Sequence, residues 1–149
     1  MTSSKTDINS LTKKTPFKDA ASVLLHAKVK KVNKLITKYN NDKSVGNLHK
    51  LRIAFRRLRF SFENFKPCYK KKDIKYVLNC IKSLQDLLGE IRDLDVLMDN
   101  LHNLGLQLSE NDEETLVIKI ASEKERIEAI VSSELILFSS DNKIQSFFK

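Results

Sequence analysis

Apolar residues recur at spacings of three and four in four successive stretches of the chain, the pattern of helices that bury one face. The first stretch runs from Pro16 or Phe17 to Tyr39, with Phe17, Ala21, Leu24, Leu25, Val32, Leu35, Ile36 and Tyr39 on one arc, and a polar NNDKS segment ends it. The second starts near Ser44 and runs to Lys66, where Pro67 forbids continuation. Its buried arc holds Leu48, Leu51, Phe55, Leu58, Phe62 and Phe65. The third begins around Lys70 and ends near Gly105, carrying Ile74, Val77, Ile81, Leu84, Leu88 and Ile91. Gly89 within it points to close packing or a bend. The fourth opens after Ser109, a capping residue followed by acids that suit a first turn, and fades around Phe138. Short connections between long amphipathic helices predict an all-α, up-down-up-down four-helix bundle with antiparallel neighbours. Residues 1–15 read as a flexible polar arm, 16–140 as one helical domain, and 141–149 as a tail whose two phenylalanines would dock on the bundle or on a partner.

Charged residues break this pattern in three places. At ~100° per residue, Arg59, Arg52, Arg56 and His49 of the second helix fall in one wedge about 80° wide beside the buried arc. Glu63 is the only acid among them, while Arg57 and Lys50 turn to the far, wet side. Arginine keeps its charge in every setting and grips phosphate or carboxylate with a planar fork, so the stripe is a candidate polyanion site, weighed against a merely solubilising surface. In the first helix Lys28 lies within the apolar arc and Lys31 flanks it. Either the lysine stem snorkels, or a charged cavity runs beside the core. In the third helix Gln85, Arg92 and Asp95 point into the apolar arc, while Lys71, Lys75 and Lys82 follow its edge with Asp86 and Asp93. Buried charges need partners. Asp93 or Asp95 is therefore expected to brace an arginine of the second helix, with an ordinary interhelical ion pair as the alternative.

The 149 residues, 41% of them hydrophobic, suffice for one domain with a real core, and only 3 glycines and 2 prolines argue against a loop-rich β fold. A formal charge of +8 favours nucleic acid, anionic lipid or another polyanion as partner. Cys68 and Cys80 are too few for a disulfide framework and read as structural thiols. No apolar run approaches the ~20 residues of a membrane span, and the opening residues lack the apolar centre of a secretory leader, so a cytoplasmic setting is expected. His26, His49 and His102 sit on separate segments without zinc-ligand spacing. There is no P-loop, no free carboxylate cluster for magnesium and no nucleophile–base pair in motif context, so neither enzyme activity nor a metal or cofactor is expected.

Two strings resemble the CHAD domain, the conserved histidine α-helical domain. The first is His49-Lys-Leu-Arg52-Ile-Ala-Phe-Arg56-Arg57-Leu-Arg59, and the second is Leu88-Gly89-Glu90-Ile91-Arg92-Asp93-Leu94-Asp95-Val96-Leu97. Their order on consecutive helices extends the resemblance over roughly residues 20 to 105. The resemblance implies a non-catalytic module that binds inorganic polyphosphate through a basic channel, in some members at polyphosphate granules. By motif position it assigns His49, Arg52, Arg56, Arg57 and Arg59 to one basic signature and Arg92, Asp93 and Asp95 to a second. Lys28, Lys31 and Lys82 join the candidate site from their helical positions alone, and protonated His49 would donate from both ring nitrogens. A full domain of this family resembles two bundles in tandem, whereas this sequence has helices for one. Two chains related by a two-fold axis would then complete the channel. Nucleic acid ranks behind polyphosphate as a partner, because Phe55, Phe62 and Phe65 are spent on the core arc. The remaining alternative is a structural or adaptor protein that has lost its ligand.

Overall fold

The computed structural model describes residues 11–104 and 109–147, apart from the side chains at 102 and 104. Most of the polar arm, the helix end expected near Gly105 and the last of the tail phenylalanines, Phe148, lie outside the described residues. Helices α1 (Phe17–Asn41), α2 (Val45–Asn64), α3 (Lys71–Leu104) and α4 (Glu110–Ser140) are followed by a single-turn α5 (Asn142–Gln145).

Local chemistry sets the helix ends. Ser44 Oγ accepts from the Asn47 backbone N–H at 3.2 Å, and Asn47 Nδ2 donates to the Asp42 carbonyl at 2.8 Å, so the turn between α1 and α2 is tied at both sides. Ser109 caps α4 in the same way through Asp112 N–H. The second helix, expected to reach Lys66, stops at Asn64. Pro67 disfavours a helical Lys66, and the chain tightens into a 3-10 turn over Lys66–Cys68.

Each long helix packs against the next in sequence, and α1 meets α4 over a shorter stretch, giving an all-α bundle. The cross-links show the antiparallel order of α3 and α4: Tyr76 near the start of α3 bonds Asp141 just past α4, while Asp95 far along α3 meets Lys124 in the first half of α4. The core row of α3 is buried as the spacing predicts, from Ile74 through Ile91. On α2 the arc from Leu48 to Phe62 is fully interior, with Phe55 set edge-on to Phe138 of α4 at 5.3 Å. Burying each such side chain stabilises the fold by roughly 1.5–3 kcal/mol.

Three expectations are corrected. The buried face of α1 runs through Ala21, Leu25, Val29, Val32, Ile36 and Tyr39, leaving Leu24 and Leu35 half-buried and Phe17 exposed against Phe65. Val29 turns the arc, so half-buried Lys28 sits at its margin rather than within it. A Cβ at Gly89 would meet nothing within 4 Å, and α3 continues through it, so no close neighbour requires that glycine. The segment after α4 takes the first of its two expected courses and docks on the bundle: Asp141 caps α5, Ile144 is fully buried, and Phe147 rests on Phe62 and Tyr69.

Candidate polyanion-binding site

The outward side of α2 is bordered by two clefts. The first, of about 180 Å³, lies towards α3 and is lined by His49, Arg52, Ile53, Arg56 and Gln85. The second, of about 290 Å³, lies towards α1, where Lys28, Lys31 and Leu35 face Lys50, Ile53, Ala54 and Arg57. Ile53 belongs to both walls.

Helix geometry explains the division. Leu51, Phe55 and Leu58 must face the core, so positions 49, 52 and 56 lean to one side of the remaining surface, and 50 and 57 to the other. The α1 lysines then complete the second cleft, because the α1 arc is centred near Val29 and leaves Lys28 and Lys31 on the side that meets α2. By helical spacing alone Arg57 stands apart from the other arginines. The structure gives it company, in the α1 lysines and Lys50.

None of the side chains of His49, Arg52, Arg56, Arg57, Lys28, Lys31 and Lys50 has a hydrogen-bond or ion-pair partner among the described residues. Arg59 differs. Its Nε donates to Glu63 Oε1 at 3.3 Å and a terminal nitrogen reaches Gln85 Oε1 at 3.4 Å, which ties α2 to α3 at the edge of the first cleft. Lys82 and Arg92 share the Gln85 side of α3 by their spacing but line neither cleft.

The expected carboxylate brace is not formed. Asp95 is buried, and its Oδ1 accepts from Lys124 Nζ of α4 at 2.6 Å, not from an α2 arginine. Asp93 is exposed and makes no bond to a described residue. The physical reason is register: α3 turns Asp95 towards α4, and the α2 arginines meet α3 two to three turns earlier, at Gln85. Gln85, seen in the sequence only as a polar residue in an apolar arc, is the α3 contact of the site.

A larger cleft of about 550 Å³ runs between α3 and α4 beside Tyr76, Cys80 and Leu137. Its charged lining residues are Glu134 and Asp141, so its sign opposes a polyanion. Cys68 and Cys80 are both unpaired thiols, and burial pushes the Cys80 thiol up from its ordinary value. No group of three or more metal-ligating side chains occurs among the described residues, and none of the described helices is long and apolar enough to cross a membrane.

Comparison with curated proteins and with solved structures returned no match. The family model of the CHAD domain matches residues 3–102, a span holding every residue that lines the two clefts. That match covers more than half of the chain, and the protein therefore belongs to the CHAD domain family.

Proposed function

We propose that this protein binds inorganic polyphosphate, without altering it chemically, on the basic surface at either side of α2. One observation carries the reading: seven basic side chains border that surface and none has a partner among the described residues. Residues one turn apart on a helix are about 5–6 Å apart at Cβ, inside the Debye length of ~8 Å at physiological salt, so these charges act together on an approaching anion. A flexible polyanion relieves their mutual repulsion and releases its own counterions, which makes affinity fall steeply with salt. Membership of a polyphosphate-associated family supports the same reading.

Nucleic acid is the competing partner. Binding of single strands draws on rows of exposed aromatics, but Phe55 and Phe62 are fully interior and Phe60 is the one exposed aromatic on α2. The deciding measurement is a titration with polyphosphates of defined length at two salt concentrations, with duplex DNA of equal charge as competitor. Polyphosphate should displace DNA at far lower concentration, with no release of free phosphate. Preferential DNA binding would overturn the reading, and phosphate release would overturn its non-catalytic part. On the same reading the protein acts in the cytoplasm at polyphosphate granules, and two chains pair about a two-fold axis so that each supplies one basic wall. A strict monomer by light scattering, with tight polyphosphate binding retained, would remove the pairing.

A further inference from the structure

We infer that the two clefts form one binding path, and that a single polyphosphate chain occupies both by crossing over α2 beside Ile53. The inference rests on the polyphosphate reading above and adds how the ligand lies. Its basis is a repeated dipeptide: His49-Lys50 and Arg56-Arg57 lie seven residues apart, and each pair divides its basic side chains between the two clefts. Consecutive residues stand ~100° apart on a helix, and with side chains the cylinder is about 10–12 Å across, so the two members of a pair are separated by roughly 10 Å of surface. The crest between them carries Gly46, Ile53 and Phe60 at seven-residue intervals.

The crest is uneven. Phe60 stands 65% exposed at one end, Ile53 is half-buried, and Gly46 has no side chain and open space around it. No acid lies on it: the one acid of α2, Glu63, is engaged with Arg59 a turn beyond Phe60. The low saddle between Gly46 and Ile53, with His49 on one flank and Lys50 on the other, is where a thin anionic chain passes at least cost. A duplex, whose persistence length is ~50 nm, cannot fold over a single helix, so the crossing also selects for flexible polyanions.

Occupying both clefts with one molecule makes the second contact intramolecular, which raises affinity by about 10²–10⁴ over either cleft alone. Calorimetric titrations with tripolyphosphate and with long-chain polyphosphate test this on the intact protein and three variants. Wild type should bind the long chain about a hundredfold more tightly than tripolyphosphate. Arg52→Ala/Arg56→Ala and Lys50→Ala/Arg57→Ala should each bring long-chain affinity down towards the tripolyphosphate level, and each should flatten the log–log salt slope by about 1.4. Ile53→Glu, which sets a negative charge on the saddle, should weaken the long chain more than tripolyphosphate. Circular dichroism on each variant confirms the fold. If either double variant keeps wild-type long-chain affinity, or Ile53→Glu weakens both ligands equally, the crossing is wrong while polyphosphate binding stands. If wild type binds neither ligand, the polyphosphate reading fails and the crossing with it.

Discussion

The outward side of α2 and the seam between α3 and α4 both carry basic residues, and they treat them in opposite ways. At the seam, Lys124 is set against Asp95 at 2.6 Å, with the Asp95 side chain 10% exposed and the Lys124 side chain 30% exposed. Nearby, Arg126 lies along Glu123 of its own helix, and that pairing holds the Glu123 carboxyl below its ordinary range. On the α2 side, by contrast, Arg59 alone finds a carboxylate among the described residues, and the seven residues bordering the clefts, five on α2 and two on α1, find none there. A charge that has been matched within the fold has little left to offer a ligand. One that has been left in water retains its donors, at a cost in self-repulsion that solvent and salt keep small. Partnering, more than residue type, separates a structural cation from an available one.

The comparison breaks most sharply if the α2 arginines prove structural. Arg52→Ala/Arg56→Ala should lower polyphosphate affinity by about a hundredfold or more, since hydrogen bonds to charged groups contribute ~1.5–3 kcal/mol each, while stability stays within about 0.5 kcal/mol of wild type. Large unfolding in a denaturant titration would reassign both residues to the fold. The mirror experiment is Lys124→Met, which strands a buried carboxylate and should cost about 2 kcal/mol of stability while leaving polyphosphate affinity within about twofold of wild type. An affinity loss as large as that of the arginine pair would place the seam within the binding site.

How much of this was legible in the sequence differs between the two regions for a physical reason. A helix declares its own buried arc, so the rows Leu48–Phe62 and Ile74–Ile91, the serine caps and the stripe of His49, Arg52 and Arg56 all follow from spacing within one segment. Contacts between helices depend on their relative rotation and register, which spacing within one segment does not carry. That is why the choice for Asp95 between an arginine brace and an ordinary interhelical ion pair stayed open until Lys124 of α4 filled the second, why Lys50 and Arg57 looked isolated, and why Lys28 seemed to lie inside an arc that Val29 in fact recentres. Gln85 shows the same limit: its polarity was visible, but its bond to Arg59 and its place in the first cleft were not. The tail left two outcomes open, the bundle or a partner, and the bundle takes Phe147 because one buried side chain, Ile144, together with the Asp141 cap is enough to seat a single helical turn.

The interior also holds a polar group without a match. Tyr39 is 1% exposed and its hydroxyl has no hydrogen-bond partner among the described residues, and burial, then the nearby Glu128 and Asp95 carboxylates, push its ionisation well above the usual tyrosine range. An unsatisfied buried hydroxyl costs about 1–3 kcal/mol, so Tyr39→Phe should leave stability unchanged or raise it by up to about 1 kcal/mol. A clear loss of stability in denaturant unfolding would show that the hydroxyl is satisfied in solution, and that this end of the bundle is better matched than the α2 surface only by way of bound water.

The smallest effect belongs to the contact that pins the end of α4 to α3. Tyr76 donates to an Asp141 carboxylate oxygen, and that bond, with some desolvation, pushes the phenol up to about 12 from 10.0. The folded state thus holds the proton longer than the unfolded chain does, so the contribution is complete below pH 10 and is lost as pH rises from 10 to about 12. Lys143, lying 4.7 Å from the centre of the Tyr76 ring, joins the same contact from α5. Tyr76→Phe should remove a tyrosinate absorbance step centred near pH 12, and its unfolding temperature should fall less than that of wild type between pH 10 and 12. Parallel stability curves for the two proteins would mean that the matched charges of the α3–α4 side contribute no more to the fold than the unmatched ones on α2.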